Sequence, residues 1–312
     1  MHKLWEGVKV VLIVAVLAAG VFWGVHHFMN PTTNSTTSST SSKKTTKTTV
    51  AHKKKISLVA VGDSLTQGVG DQSEGGYVGQ IKTMLEKKQN LTVSTTNAGK
   101  SGDRSDQILA RINKSTTLQK EIANADVITV TVGGNDLLQT LEGSITSTST
   151  AKNNSTVAKA QTEYAAKLKK LFDKIQGLNK NASIFVFSIY NPIYVNFPNV
   201  TSITHYISQW NDQTKTTISS YNHTYFMDIN WTMSHGQYKT AAQIKALKKA
   251  SNSTDLTTIT NATISSALSA KSKDNDLISN SDNFHPNKTG YAVFTKKLYQ
   301  TMMAHDAWLL KK

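Results

Sequence analysis

From residue 56 onward, short apolar runs alternate with stretches whose apolar positions recur at helical spacing. Residues 56–61, 91–96, 127–132, 184–189 and 224–228 have the length of buried strands, and most stop at glycine, asparagine or aspartate. Between them, residues 77–88 place Val78, Ile81, Met84 and Leu85 on one helical face. Ser105 is positioned to cap a helix holding Ile108, Leu109 and Ile112. Residues 164–178, with Leu168, Leu171, Phe172 and Ile175, and residues 203–221 also read as helices. Residues 287–310, carrying Tyr291, Val293, Phe294, Leu298 and Met302, read as the closing helix. Strand and helix alternate about five times, the rhythm of an α/β, doubly wound parallel sheet. Two stretches break it. Residues 143–157 are rich in Ser, Thr and Asn and are expected to be a loop. Residues 237–280 are long and polar with one expected helix, Ala241–Ala250, and form either a lid or surface decoration.

Upstream the pattern changes twice. Residues 10–25 are uncharged and apolar, extending to Phe28 if His26 and His27 are tolerated, with Lys3 and Lys9 before them. That is the lower limit of length for a spanning helix. A cleaved signal peptide would use Ala18-Ala19-Gly20 as its cleavage site. An uncleaved signal-anchor over residues 1–29 would keep the whole run, with Trp23 near the outer interface. The apolar continuation through Val21 and Val25 favours the anchor. No lysine follows until Lys43, so the positive-inside rule places the N-terminus in the cytoplasm and the remainder outside. The expected location is the cell membrane, single-pass with the catalytic domain extracellular; signal-peptide cleavage would make the protein secreted. Residues 30–55 are Thr, Ser and Lys with almost nothing apolar, which predicts a disordered stalk. Lys53, Lys54 and Lys55 read as a solvated charge cluster, and the folded domain is expected to occupy residues 56–312.

The formal charge of +15 suggests a nucleic-acid partner until it is located. Residues 1–55 hold eight lysines against one acid, Glu6, so seven of those charges lie outside the expected domain. Arg104 and Arg111 are the only arginines, where specific readers of phosphate and base edges favour arginine. The reading is no specific nucleic-acid partner, with a basic surface that attracts anionic envelope polymers loosely. The chain has no cysteine, which excludes disulfides, thiolate metal sites and a cysteine nucleophile. Outside His285, the histidines show no metal-ligand spacing. Gly68 to Gly76 lacks the Lys-Ser/Thr of a phosphate-binding loop. No cofactor is expected.

Polar groups and glycines cluster at or near four strand ends. Ser64 follows the first strand on a sharp turn, at the sheet edge where open α/β folds place their chemistry. Gly102 offers a backbone N–H that a ligand can approach closely. Asn135 offers a neutral side-chain donor. Asp282 lies three residues before His285, so both can sit on one turn, carboxylate against one ring nitrogen. Ester cleavage by serine needs a nucleophile, an oriented imidazole and donors aimed at the oxyanion. Read singly, Ser64, Asn135 and His285 could each be an ordinary turn or loop residue.

Taken in order, these segments resemble the GDSL family, also called SGNH hydrolases. Gly62-Asp63-Ser64-Leu65 with Gly68 is similar to its first block and Asn97 to Gly102 to its second. Gly133-Gly134-Asn135-Asp136 is similar to the third and Asp282-Asn283-Phe284-His285 to the last. The resemblance covers roughly residues 56–305. It implies a three-layer, flavodoxin-like parallel sheet of about five strands with helices on both faces. It implies Ser64 as nucleophile, His285 as base and Asp282 as the acid that orients it. The oxyanion hole would be made by the backbone N–H groups of Ser64 and Gly102 and the side chain of Asn135. Asp63 is expected to fix the turn, and Tyr190-Asn191-Pro192 to shape the pocket edge. The expected activity is serine ester hydrolysis through an acyl-enzyme at the cell envelope, on a small ester, a lipid or an acylated sugar. The alternatives are a non-catalytic surface-binding module on the same fold, and acyl transfer to sugar hydroxyls.

Overall fold

The computed structural model describes residues 51–71, 73–144, 150–251 and 275–311. The expected membrane segment 1–29 and residues 30–50 of the expected stalk lie outside them. Among the described residues no helix is long and apolar enough to cross a membrane.

Five parallel strands form one sheet in the order β2-β1-β3-β4-β5. They are β1 (Lys55–Gly62), β2 (Thr92–Gly99), β3 (Val127–Thr131), β4 (Ser183–Phe187) and β5 (Thr224–Met227). The order reverses between β1 and β3, and the crevice beyond the strand ends at such a switch point is where ligands bind in this architecture. The chain places Ser64 after β1 and Asn135 after β3, on either side of it.

Alternation along each strand divides the core in two. Val59, Val61, Ile128, Val130, Ile184 and Val186 face one layer. That layer contains α3 (Ser105–Lys114), α4 (Thr116–Ala123), α5 (Gly134–Ser144), α6 (Thr150–Leu178) and α7 (Thr201–Ile218). Leu58, Ala60, Val127, Phe185, Phe187 and Met227 face the other. There α2 (Gly76–Gln89), α8 (Asn230–His235) and α10 (Lys288–Ala304) cover the sheet. The short α1 (Ser64–Gln67) follows β1, and α9 (Ala241–Ala250) lies in the polar stretch, of which residues 252–274 are outside the described set.

Several sequence expectations need correction. Ser105 is the first residue of α3, not its cap; Arg104 occupies the cap position, with its N–H bonded to Gln107 Oε1 at 3.0 Å. The Ser105 hydroxyl is drawn instead to the buried Asp136 carboxylate, 2.6 Å away. Residues 150–157, expected as loop, open α6, because Val157 packs in the core one heptad before Tyr164. Strand β2 runs three residues beyond the expected end, pairing Asn97, Ala98 and Gly99 with Ala60, Val61 and Gly62. The closing helix ends at Ala304, followed by a 3-10 turn over Asp306–Leu309.

The N-terminal edge of the described domain also differs from expectation. Among the described residues, contacts with the C-terminal end are already present at Ala51 and Lys53, before Ile56. Lys53 N–H donates to Leu309 O at 2.7 Å and Lys311 N–H to Ala51 O at 2.9 Å. Lys53 is not simply solvated, since its ammonium pairs with Asp126. The other Asp126 oxygen accepts the Ser57 N–H at 2.9 Å.

Candidate active site

Strand β1 must end in glycine, because a Cβ at Gly62 would collide with the hydroxyls of Thr131 and Thr66. The chain then turns at Asp63, whose Oδ1 accepts the Leu65 N–H at 3.0 Å and caps α1. The same oxygen accepts the Thr131 hydroxyl at 2.8 Å, tying the turn to β3. Burial raises the Asp63 carboxyl above its usual range, only partly offset by Thr131, Leu65 and the charge of His285. Asp63 is a turn-fixing group, as expected from its place beside the serine. Ser64 is therefore held on a rigid corner, and its N–H falls in the first turn of α1, where no intrahelical acceptor exists.

Asn135 lies at the start of α5 and lines the same cleft as Ser64, together with Asp63, Leu65, Gly134, Ile189, Tyr190, Pro192 and Phe284. Its Nδ2 donates to Asp103 O at 2.9 Å. An amide nitrogen carries two hydrogens, so this bond orients the group and leaves the second N–H to give. Gly102 sits one residue before that carbonyl, with φ +83° and no atom where a Cβ would stand. The loops after β2 and β3 are thereby locked together. Asp136 adds a second lock, accepting the N–H and hydroxyl of Ser105 at 2.9 and 2.6 Å. Burial raises the Asp136 carboxyl, with the Ser105 bonds working against it.

Asp282 and His285 form one unit on the loop before α10. His285 Nδ1 lies 2.6 Å from Asp282 Oδ2. Asp282 Oδ1 accepts the N–H groups of Phe284 and His285 at 2.9 and 3.0 Å. Burial would raise this carboxyl, but the His285 ring, the two backbone donors and the imidazole charge together hold it below the usual range. An ionised carboxylate at Nδ1 fixes the proton there and leaves Nε2 as the basic nitrogen. Tyr190 holds this loop, its hydroxyl donating to Phe284 O at 2.8 Å. Gly70 underlies it, because a Cβ there would strike the Pro286 carbonyl and His285. Among the described residues no hydrogen bond joins Ser64 to His285; such bonds commonly tighten only around substrate.

The cleft continues into an apolar groove that shares Gly134, Ile189, Tyr190, Pro192 and Phe284 with it. The groove extends along Leu137, Leu138, Leu141, Ile193, Ile203 and Ile207, between α5 and α7. Its lining is almost wholly hydrocarbon. Among the described residues no cluster of His, Asp and Glu is placed to hold a metal ion. The structure thus brings Ser64 and Asn135 to one cleft, Gly102 to the loop beside Asn135, and His285 with Asp282 to the loop whose Phe284 lines that cleft. Sequence reasoning missed Asp103 and Arg111. Arg111 bonds Asp103, Ala98 O and Gly62 O. Such long-range ties leave no mark in local spacing; the only hint was Arg111's rarity as one of two arginines.

The family described as GDSL-like Lipase/Acylhydrolase matches residues 60–293 of this chain. YpmR of Bacillus subtilis, described as an uncharacterized protein, is 28% identical over 251 residues, spanning 80% of this chain and 82% of that protein. The spore germination lipase LipC of Bacillus licheniformis is 43% identical over 88 residues, 28% of this chain and 41% of that protein. Among solved structures, the lipase Lip_vut3 from a goat rumen metagenome superposes with a TM-score of 0.58. It is 24% identical and covers 78% of this chain and 96% of its own, a likeness of fold.

Proposed function

Because this chain belongs to the GDSL-like lipase/acylhydrolase family and is a carboxylic ester hydrolase by class, we propose that Ser64 is its nucleophile and that it removes medium-length acyl groups from esters. Ser64 Oγ attacks the ester carbonyl carbon as its proton passes to His285 Nε2, while Asp282 holds Nδ1. The N–H groups of Ser64 and Gly102 and the Asn135 amide receive the oxyanion. Collapse expels the alcohol, which takes the proton from His285. A water, deprotonated by the same imidazole, then attacks the acyl-enzyme and releases the acid and free Ser64.

The observation that carries this reading is the single cleft in which Ser64 and Asn135 lie side by side, opening into a groove of leucine and isoleucine. An acetyl group needs no such groove. Each methylene removed from water is worth about 0.8 kcal/mol, so each one that fits raises kcat/KM by about fourfold. The ester comes from a lipid or an acylated sugar of the envelope. The reaction takes place outside the cytoplasm, with residues 1–29 as the anchor, and the basic surface gathers anionic envelope polymers. Lys3 and Lys9 before residues 10–25, the absence of lysine after them until Lys43, and the apolar length of that run support this placement.

The test is a series of p-nitrophenyl esters given to the full chain. Acetate should be the poorest substrate, with kcat/KM rising through butyrate to octanoate and then levelling. A maximum at acetate would overturn the medium-acyl reading in favour of a deacetylase.

A further inference from the structure

Arg111 lies on α3, outside the cleft, yet its guanidinium donates in three directions. Nη2 bonds Gly62 O at 2.8 Å, Nη1 bonds Ala98 O at 2.9 Å and Nε bonds the Asp103 carboxylate. The partners are not scattered. Gly62 ends β1 two residues before Ser64. Ala98 is the penultimate residue of β2. Asp103 follows Gly102, and its carbonyl accepts the Asn135 amide at 2.9 Å. All three oxyanion donors are therefore attached, within two residues or through one hydrogen bond, to a group that Arg111 holds.

We propose that Arg111 is the positioning residue of the oxyanion site, setting the distance between the Ser64 corner and the Gly102–Asn135 pair. The proposal rests on the oxyanion roles given above. A carbonyl oxygen has two lone pairs and can take a second donor, and here one planar fork bonds the strand-end carbonyls of Gly62 and Ala98 together while its Nε fixes the loop. Other bonds hold the loop at single points: Lys100 N–H reaches Gly62 O at 3.1 Å, Ser101 N–H reaches Gln67 Oε1 at 2.7 Å, Asp103 N–H reaches Lys100 O at 3.3 Å and Ser105 is bonded to Asp136, whereas Arg111 alone of these groups spans the ends of β1 and β2 and the Asp103 side chain. After Gly102, the Asp103 side chain answers to Arg111. A lysine ammonium also has three donors, but they radiate from one nitrogen and cannot span these separated acceptors as the planar guanidinium does.

The experiment is a double-mutant cycle in the full chain, with kcat and KM measured per folded molecule as judged by circular dichroism. Asn135→Ala should lower kcat by about a hundredfold, the usual cost of an oxyanion donor. Arg111→Gln should lower kcat by about tenfold to a hundredfold with KM little changed. In the Asn135→Ala background the same Arg111 change should cost much less, because the group it positions is gone. Arg111→Lys, which keeps the charge, should fold and show the same coupling at reduced size. Losses that multiply independently would overturn the positioning role while leaving the oxyanion site standing. An Asn135→Ala enzyme with full kcat would overturn the oxyanion reading itself, and the Arg111 proposal with it.

Discussion

Three carboxyls near the cleft titrate in different directions, and each has a cause on the page. Asp282 is held below its usual range by its hydrogen bonds, so its contribution to stability is present above about pH 3.9 and is lost as the pH falls through its native value. Asp63 and Asp136 are raised by burial. For them the native state binds the proton more tightly than the unfolded chain. Their stabilising share is therefore complete below about pH 3.9 and is lost as the pH rises through the native value. Asp136→Asn keeps a side chain able to bond Ser105 but cannot ionise. The variant should gain on the wild type in urea midpoint as the pH is raised from about 4 to neutrality. An unchanged difference across that range would contradict the burial argument. None of this was legible in the sequence. Asp136 was visible only as the last letter of a motif, and its burial follows from α3 and α5 meeting.

At the scale of elements, the loop carrying Asp282 and His285 is fastened to the sheet by Tyr190, which follows β4 and lines both cleft and groove. Tyr190→Phe keeps the ring and deletes one hydrogen bond, a net loss of about 0.5–1.5 kcal/mol. That loss should fall on the placement of His285. We expect kcat for a p-nitrophenyl ester to drop by about twofold to tenfold with the melting temperature nearly unchanged. A large fall in melting temperature with kcat intact would make Tyr190 a packing residue. The sequence marked Tyr190-Asn191-Pro192 as a pocket edge but not as a fastening, since the partner lies 94 residues away. It also missed α4, α5 and α8. Helix α5 begins with Gly134 and Asn135, which read as loop; its stripe of Leu137 and Leu141 becomes meaningful only against the sheet. The strands were easier, because buried parallel strands are near-continuous β-branched or aromatic runs.

Within the described domain, Ser64 and the pairing of Ala51 and Lys53 with Leu309 and Lys311 occupy opposite edges of the sheet. Strand β1 carries the chain from Lys55 to Gly62, roughly 25 Å at the rise of a strand. At its start, Ala51 and Lys53 are fastened to Leu309 and Lys311; at its end stands Ser64. The alternation of strand and helix was enough to read the parallel sheet and the edge on which Ser64 stands. The contacts of Ala51 and Lys53 were not, because Lys53 takes its side-chain partner from Asp126 and its backbone partner from Leu309. The central claim is that this edge presents one activated serine. Its most direct measurement is to treat the full chain with a fluorophosphonate, locate the adduct by mass spectrometry and follow hydrolysis of p-nitrophenyl butyrate in parallel. The account predicts one adduct, on Ser64, with activity falling in step with labelling and both absent in Ser64→Ala. An adduct elsewhere, or hydrolysis that survives in Ser64→Ala, would contradict it.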